Sequence, residues 1–127
     1  MKRDMDVVRD VLCKISEAKG KPSYKILIEG MSEEDAKTVL YHVELLNQAG
    51  LVTGVQLAVH GFKIWENLDL TWSGHEFVDA VSDSEVWTET KKGIEGVGSF
   101  TFDLVKDLAK GFIKKKIEQH TGVNLDL

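Results

Sequence analysis

Histidines, a cysteine and closely spaced glycines are the residues of this 127-residue chain that could do chemistry. The four histidines are spread along the chain. His75 precedes Glu76, but Asp79 stands where a zinc-protease helix needs its second histidine. His75 and Asp79 would supply only two metal ligands, which favours an exposed or capping role. His42 lies inside a predicted helix and is interpreted as a packed, hydrogen-bonded side chain rather than a base.

Cys13 and the glycines after residue 92 have structural explanations. Cys13 is the single cysteine and falls among apolar residues, which predicts a buried thiol and a reducing, cytoplasmic setting. Gly93, Gly96 and Gly98 lack the preceding strand and the lysine-serine ending of a phosphate loop, so they predict a hinge. We therefore predict no catalytic residue, no cofactor and no metal site, and we expect that the chain is not an enzyme.

Charge is distributed unevenly along the chain. The formal net charge is −5, yet residues 29–89 carry two lysines, Lys37 and Lys63, against twelve acidic residues, a net −10, while both ends are mildly basic. Phosphate binding needs the opposite sign. No apolar run is long enough for a signal peptide or a membrane span, so the expectation is a cytoplasmic protein with no membrane association.

Apolar periodicity predicts the elements that must position any functional side chain. A first helix is expected over about 4–18 and a short strand over 24–28, where β-formers lie between a proline and a glycine. A second helix follows over 32–49, and then a hairpin whose turn the pattern leaves open between His60 and Asn67. Thr71 is expected to cap a third helix.

The second helix offers the predicted interaction face. Ala36, Val39, Leu40, Val43 and Leu46 form its inward stripe. The candidate interaction residues are Lys37, Tyr41, Glu44 and Gln48 on the solvated face, with Glu33 and Glu34 in the first turn, where the helix dipole favours carboxylates.

Alternation in the hairpin and spacing in the last helix predict further packing. Val55, Leu57 and Val59 follow the period of a half-buried strand, and Trp65, Trp72 and Trp87 are expected in the core or in hairpin packing. The domain is expected to close at residue 92, with a hinge over 93–98, a helix capped by Ser99 over 99–119 and a tail over 120–127. The stripe of that helix, namely Val105, Leu108, Phe112 and Ile113 with Ala109, predicts homo-oligomerisation or packing on the first helix.

Several phrases of the sequence resemble known proteins. Tyr41-His42 with Ala49-Gly50-Leu51, followed by Leu70-Thr71-Trp72-Ser73-Gly74-His75-Glu76-Phe77, resembles the end of the second helix and the exit of the wing in winged-helix domains. Together with residues 1–6, Trp87 and Ser99-Phe100, they make the chain similar to the bacterial and prophage "domain of unknown function" family numbered 2513. The resemblance implies a winged-helix-like α+β fold and a phage association. The strand expected over 24–28 would leave no separate helix bracing the second helix.

Three functions are compatible with these patterns. The first is a protein-binding module, such as a phage-encoded regulator or inhibitor of a host factor, whose acidic centre meets a basic partner or mimics nucleic acid. The second is a DNA-binding regulator that uses Lys37, Thr38 and Tyr41 in a groove and Lys63 of the hairpin on the backbone, which the charge disfavours. The third is a membrane-surface protein anchored by Lys114, Lys115 and Lys116 beside Phe112 and Ile113, for which one basic cluster is too weak.

Overall fold

The structure, a computed structural model, describes residues 1–96 and 101–125. In these ranges the chain forms α1 (Met5–Glu17), α2 (Lys25–Ile28), α3 (Glu33–Gln48), β1 (Val52–Val59), β2 (Phe62–Leu70), α4 (Trp72–Val81), α5 (Ser84–Glu95) and α6 (Phe102–Thr121). This order confirms the predicted α+β class and is consistent with a winged-helix-like fold. The chain divides into two compact units, Met1–Val78 and Asp79–Leu127. The sequence had predicted that the first domain closes at residue 92.

The strand predicted over 24–28 is wrong, because this segment forms the one-turn helix α2. Leu27 donates its amide to the Tyr24 carbonyl (2.9 Å), and its side chain is buried where α2 packs against α1 and α3. Tertiary packing of one leucine thus overrides the local β propensity, and a separate helix does precede α3.

The two sequence segments that resemble winged-helix domains, one ending at Leu51 and one beginning at Leu70, contact each other at one junction. The Thr71 hydroxyl donates to the Gly50 carbonyl (2.6 Å), and the Thr71 amide donates to the Leu51 carbonyl (3.0 Å). The same hydroxyl accepts from the Gly74 amide (3.1 Å), which confirms Thr71 as the cap of α4. A Cβ at Gly74 would overlap the Leu51 carbonyl oxygen, so glycine is required there. This junction ties the end of α3 to the exit of the hairpin.

The wing, defined as the hairpin of β1 and β2, turns at His60 and Gly61. Both have positive φ, 50° and 82°, as a two-residue type I′ turn requires. Near the base, Gly54 of β1 faces two residues of β2 in a bulge, and Asn67 there has a φ of 52°, a conformation that asparagine tolerates. The wing is therefore a continuous hairpin up to its tip.

In the second unit, α5 and α6 pack against each other. The hinge predicted over 93–98 is wrong for residues 93–95, because these residues belong to α5. Gly93 allows α6 to approach α5 closely, since a Cβ at this position would lie 2.6 Å from Leu108 Cδ2. Residues 97–98 of that hinge and the predicted cap Ser99 lie outside the described residues. The side chain that caps α6 is Thr101, which accepts from the Leu104 amide.

Candidate interaction surface

His42 has a structural role in the first unit. Its ring is fully buried, Nε2 accepts a hydrogen bond from the Asp4 amide (2.8 Å), and Nδ1 lies 2.7 Å from the Thr38 carbonyl oxygen. Since an amide can only donate, Nε2 carries no proton and Nδ1–H donates to Thr38. The histidine thereby joins the start of α1 to the middle of α3. This geometry agrees with the packed histidine predicted from the sequence.

The other candidate chemical groups form no site in the part of the chain that the structure describes. Burial raises the pKa of the Cys13 thiol, which favours the protonated, unreactive form. His75 and Asp79 are both exposed. Across residues 1–96 and 101–125, no group of three or more histidine, cysteine or acidic side chains is arranged to hold a metal ion. The surface of α3 and the wing is the remaining candidate.

The exposed side of α3 carries most of the residues predicted there. Glu33, Glu34, Lys37 and Gln48 are exposed, and Tyr41, Glu44 and Thr38 are half-buried. The buried stripe is Val39, His42, Val43 and Leu46, whereas the predicted members Ala36 and Leu40 are only half-buried. The stripe is therefore rotated toward His42, because the histidine finds hydrogen-bond partners inside the unit.

Both lysines of this surface are paired with carboxylates. Lys37 Nζ lies 3.3 Å from Glu33 Oε1, one turn earlier on α3, and 5.4 Å from the centre of the Phe62 ring. Lys63 Nζ on the wing lies 2.9 Å from Glu44 Oε1 on α3. The Thr38 hydroxyl is also engaged, since it donates to the Glu34 carbonyl. The positive charges that a groove-binding protein would offer to phosphate are thus largely neutralised within the chain.

The wing exposes apolar side chains, which sequence reasoning missed. Val55, Leu57 and Val59 are 48%, 44% and 42% exposed, and Phe62 is 43% exposed. Pairing of Leu57 with Ile64 and of Val59 with Phe62 places these side chains on one face of the hairpin. The expectation that this face is half-buried is wrong, because the upper part of the hairpin projects from the core.

A groove lies between the first half of α3 and this apolar face. It has a volume of about 360 Å³ and is lined by Tyr24, Glu33, Ala36, Lys37, Leu40, Val59, His60, Phe62 and Ile64. Its floor is apolar, while Glu33 and Lys37 contribute the charge. We call this the α3–wing groove. Such a lining suits an apolar anchor side chain of a partner better than a phosphate group.

Trp72 also departs from the expected core packing. It is 80% exposed, and its Nε1 donates to Glu76 Oε1 (2.6 Å), whereas Trp65 and Trp87 are buried as predicted. Trp72 follows Thr71, the cap of α4, so the direction of its side chain depends on the junction between α3 and the wing. Its exposure could not be recognised from apolar periodicity.

Comparison with known proteins agrees with the resemblance in the sequence. A family model described as "Hypothetical protein (DUF2513)" matches residues 2–100. The chain belongs to this family. An uncharacterized protein of Haemophilus influenzae (strain ATCC 51907 / DSM 11121 / KW20 / Rd) is 32% identical over 122 residues, which covers 92% of this chain and 99% of that protein. No solved structure matches the chain.

The DUF2513 match ends before α6, where the oligomerisation residues were predicted. Val105 and Ala109 are fully buried, and Leu108, Phe112 and Ile113 are half-buried. The sequence predicted that this stripe packs on a second copy or on the first helix, whereas in the second unit α6 packs on α5. Val105 is therefore not available as an interface residue. Homo-oligomerisation through the half-buried residues stays a prediction.

Two of the three adjacent lysines of α6, Lys114 and Lys116, contact carboxylates within the second unit. Lys116 Nζ lies 2.9 Å from Asp83 Oδ2 and 3.2 Å from Glu85 Oε2, and Lys114 lies 4.0 Å from Glu118. The hydrogen bond from Lys116 lowers the pKa of Asp83, and the same contact raises the pKa of Lys116. No helix of the described residues has the length and apolar character needed to cross a membrane.

Proposed function

We propose that the chain is a non-enzymatic, winged-helix-like module that binds another protein through the α3–wing groove and the surrounding surface. The observation that carries the proposal is the replacement of free basic side chains by carboxylate-paired lysines and exposed apolar residues. A role as a regulator or inhibitor of a host factor, including a phage-encoded one, fits a module that occupies a partner surface.

Electrostatics favours a protein over DNA. Lys37 and Lys63 are the only lysines or arginines in residues 29–89. Even if both lysines left their carboxylate partners to neutralise phosphates, a plot of log affinity against log salt concentration would have a slope no steeper than about −2 for this surface. Regulators that hold DNA at physiological salt commonly neutralise several more phosphates. The DNA-binding alternative, with Lys37, Thr38, Tyr41 and Lys63 as contacts, is therefore the second candidate.

The chemistry of the surface also describes the partner. The apolar floor of the α3–wing groove fits an aliphatic or aromatic side chain, which would bury Phe62 and Val59. Glu33 and Glu34 are exposed beside it and favour lysine or arginine on the partner. We therefore expect a partner surface that combines an apolar anchor with a basic rim.

Site-specific crosslinking tests the proposal in cells that express the full chain. A photoreactive amino acid at Phe62 lies in the groove lining, and the same amino acid at exposed Lys19 provides the control outside α3 and the wing. We expect one protein to crosslink from position 62 and not from position 19. Its affinity as a purified protein should fall roughly tenfold or more with Phe62→Glu, because a charge replaces an apolar contact.

A DNA titration at several salt concentrations provides the opposing test. We expect weak binding with a shallow salt dependence. Tight DNA binding that weakens steeply with salt and is lost in Lys37→Ala would contradict the proposal and establish the DNA-binding alternative. Crosslinking from positions 62 and 19 alike would also contradict it.

A further inference from the structure

We propose that the outer edge of β1 pairs antiparallel with β1 of a second copy of the chain, so that two wings join into a four-stranded sheet. This inference goes beyond the proposed function, because it uses the backbone edge of β1; of the side chains it pairs, Val59 also lines the α3–wing groove. The edge of β1 is a different self-association surface from the one that the sequence predicted on α6.

The two edges of the wing differ in how they are covered. The outer edge of β2 is occupied by the chain before α2: the Tyr24 amide donates to the Trp65 carbonyl (2.8 Å), and the Leu68 amide donates to the Pro22 carbonyl (2.9 Å). Among residues 1–96 and 101–125, no backbone hydrogen bond from outside the hairpin reaches Gln56 or Ala58 of β1. The sheet therefore ends at β1.

The turn determines which groups point outward from β1. In a hairpin closed by a two-residue turn, Val59 and Phe62 form a hydrogen-bonded pair, so the amides and carbonyls of Val55, Leu57 and Val59 face β2. The amides and carbonyls of Gln56 and Ala58 consequently point to solvent, and both residues are exposed. These are the donors and acceptors that a further strand would use.

Beyond the bulge at Gly54, the edge also lacks two features that normally prevent strand pairing, namely charged side chains and proline. Residues 52–59, Val-Thr-Gly-Val-Gln-Leu-Ala-Val, contain no charged residue and no proline. Natural edge strands usually carry a lysine, a proline or an inward charge that blocks another strand. The uncharged segment from Val55 to Val59, which lies beyond the bulge and exposes two valines and a leucine, is therefore suited to pairing.

The sequence of β1 is complementary to itself about Leu57. If a twofold axis passes beside this residue, Gln56 and Ala58 of one copy form hydrogen-bonded pairs with Ala58 and Gln56 of the other. Leu57 then faces Leu57 of the second copy, and Val55 faces Val59, so every cross-strand pair on that face is apolar. No like charges meet within the strand. An arbitrary partner strand would have to match this pattern, whereas a second copy matches it by symmetry.

Sedimentation equilibrium of the full chain over a range of concentrations tests the proposal. We expect a reversible dimer whose dissociation constant falls as salt rises, because salt screens the repulsion between acidic copies. Ala58→Pro removes an outward amide without removing a hairpin hydrogen bond, and it should raise the dissociation constant about tenfold to a hundredfold. Gln56→Thr keeps the outward amide and should leave it within about threefold of wild type.

Two variants with opposite charges at Leu57 test whether the strand that pairs with β1 belongs to a second copy of the chain. Leu57→Lys and Leu57→Glu each place like charges opposite one another and should be monomers, whereas an equimolar mixture should form a heterodimer. Circular dichroism checks that each variant is folded, and the Leu57 pair remains informative if the proline variant unfolds. A dimer that persists in both Leu57 variants would overturn the proposal. A wild-type chain that stays monomeric would also overturn it, and would leave a strand from another protein as the occupant of this edge.

Discussion

Replacing His42 with phenylalanine should destabilise the first unit by removing a connection between α1 and α3. The ring is fully buried, so the substituted side chain keeps the apolar contact but cannot accept from the Asp4 amide or donate to the Thr38 carbonyl. Each hydrogen bond contributes about 1 kcal/mol, and an amide left against an apolar ring costs about 1–3 kcal/mol. Partial hydration of Asp4, which is exposed, offsets part of this cost. We therefore expect a loss of about 2 kcal/mol.

Urea unfolding followed by circular dichroism measures this loss. With the slope usual for small proteins, a loss of about 2 kcal/mol lowers the midpoint by about 1 M urea. His42→Gln provides the matched control, because its amide can still accept near the position of Nε2, and it should lose less than about 1 kcal/mol. Hydrogen exchange supplies a second measurement: the Asp4 amide should be protected in the wild type and unprotected in His42→Phe.

The reasoning is refuted if His42→Phe unfolds at the wild-type urea concentration, or if the Asp4 amide of the wild type exchanges as fast as in an unfolded chain. Either result would mean that His42 does not hold the start of α1. An equal loss in His42→Gln and His42→Phe would show that ring shape, rather than hydrogen bonding, determines its contribution.

Three further predictions concern other parts of the chain. Gly74→Ala should lower the free energy of unfolding by about 1–3 kcal/mol, because the new methyl group overlaps the Leu51 carbonyl oxygen, and chemical denaturation measures the change. The lowered pKa of Asp83 means that its ion pair with Lys116 stabilises the fold above the ordinary carboxyl pKa and that this contribution disappears as the pH falls through the lowered value; Asp83→Asn should remove this part of the acid dependence of the melting temperature. The raised pKa of Cys13 predicts slow alkylation by iodoacetamide at neutral pH that accelerates only in alkaline solution, as mass spectrometry can follow.

Each of these has a control or a contradicting result. Gly111→Ala, where no atom would meet the new methyl group within 4 Å, should stabilise α6 by up to about 1 kcal/mol through helix propensity. If Gly74→Ala were equally harmless, the junction would not require glycine. An unchanged acid limb in Asp83→Asn would show that the Lys116 pair contributes nothing measurable. Rapid alkylation of Cys13 at neutral pH would show that the thiol is not held in its protonated form.

Local sequence patterns were sufficient to predict most of the helices and strands. The three-and-four spacing of α1 and α3, the stop at Gly50 and the cap at Thr71 depend on residues within a few positions of each other, and all are present in the structure. The acidic character of the region around α3 is likewise a property of composition. These features follow from backbone hydrogen bonding and side-chain periodicity, which act over one or two turns.

Tertiary structure decided what these elements expose and which residues they bring together. Whether the Leu57 face of the wing is covered, which helix α6 packs against, and where His42 finds its hydrogen bonds all depend on contacts between residues far apart in sequence. The segment around Leu27 shows the same limit, since its β-formers turn into a helix to bury one side chain. Periodicity determines that a face is apolar, but the burial of that face depends on which other element packs against it, and that information is not local.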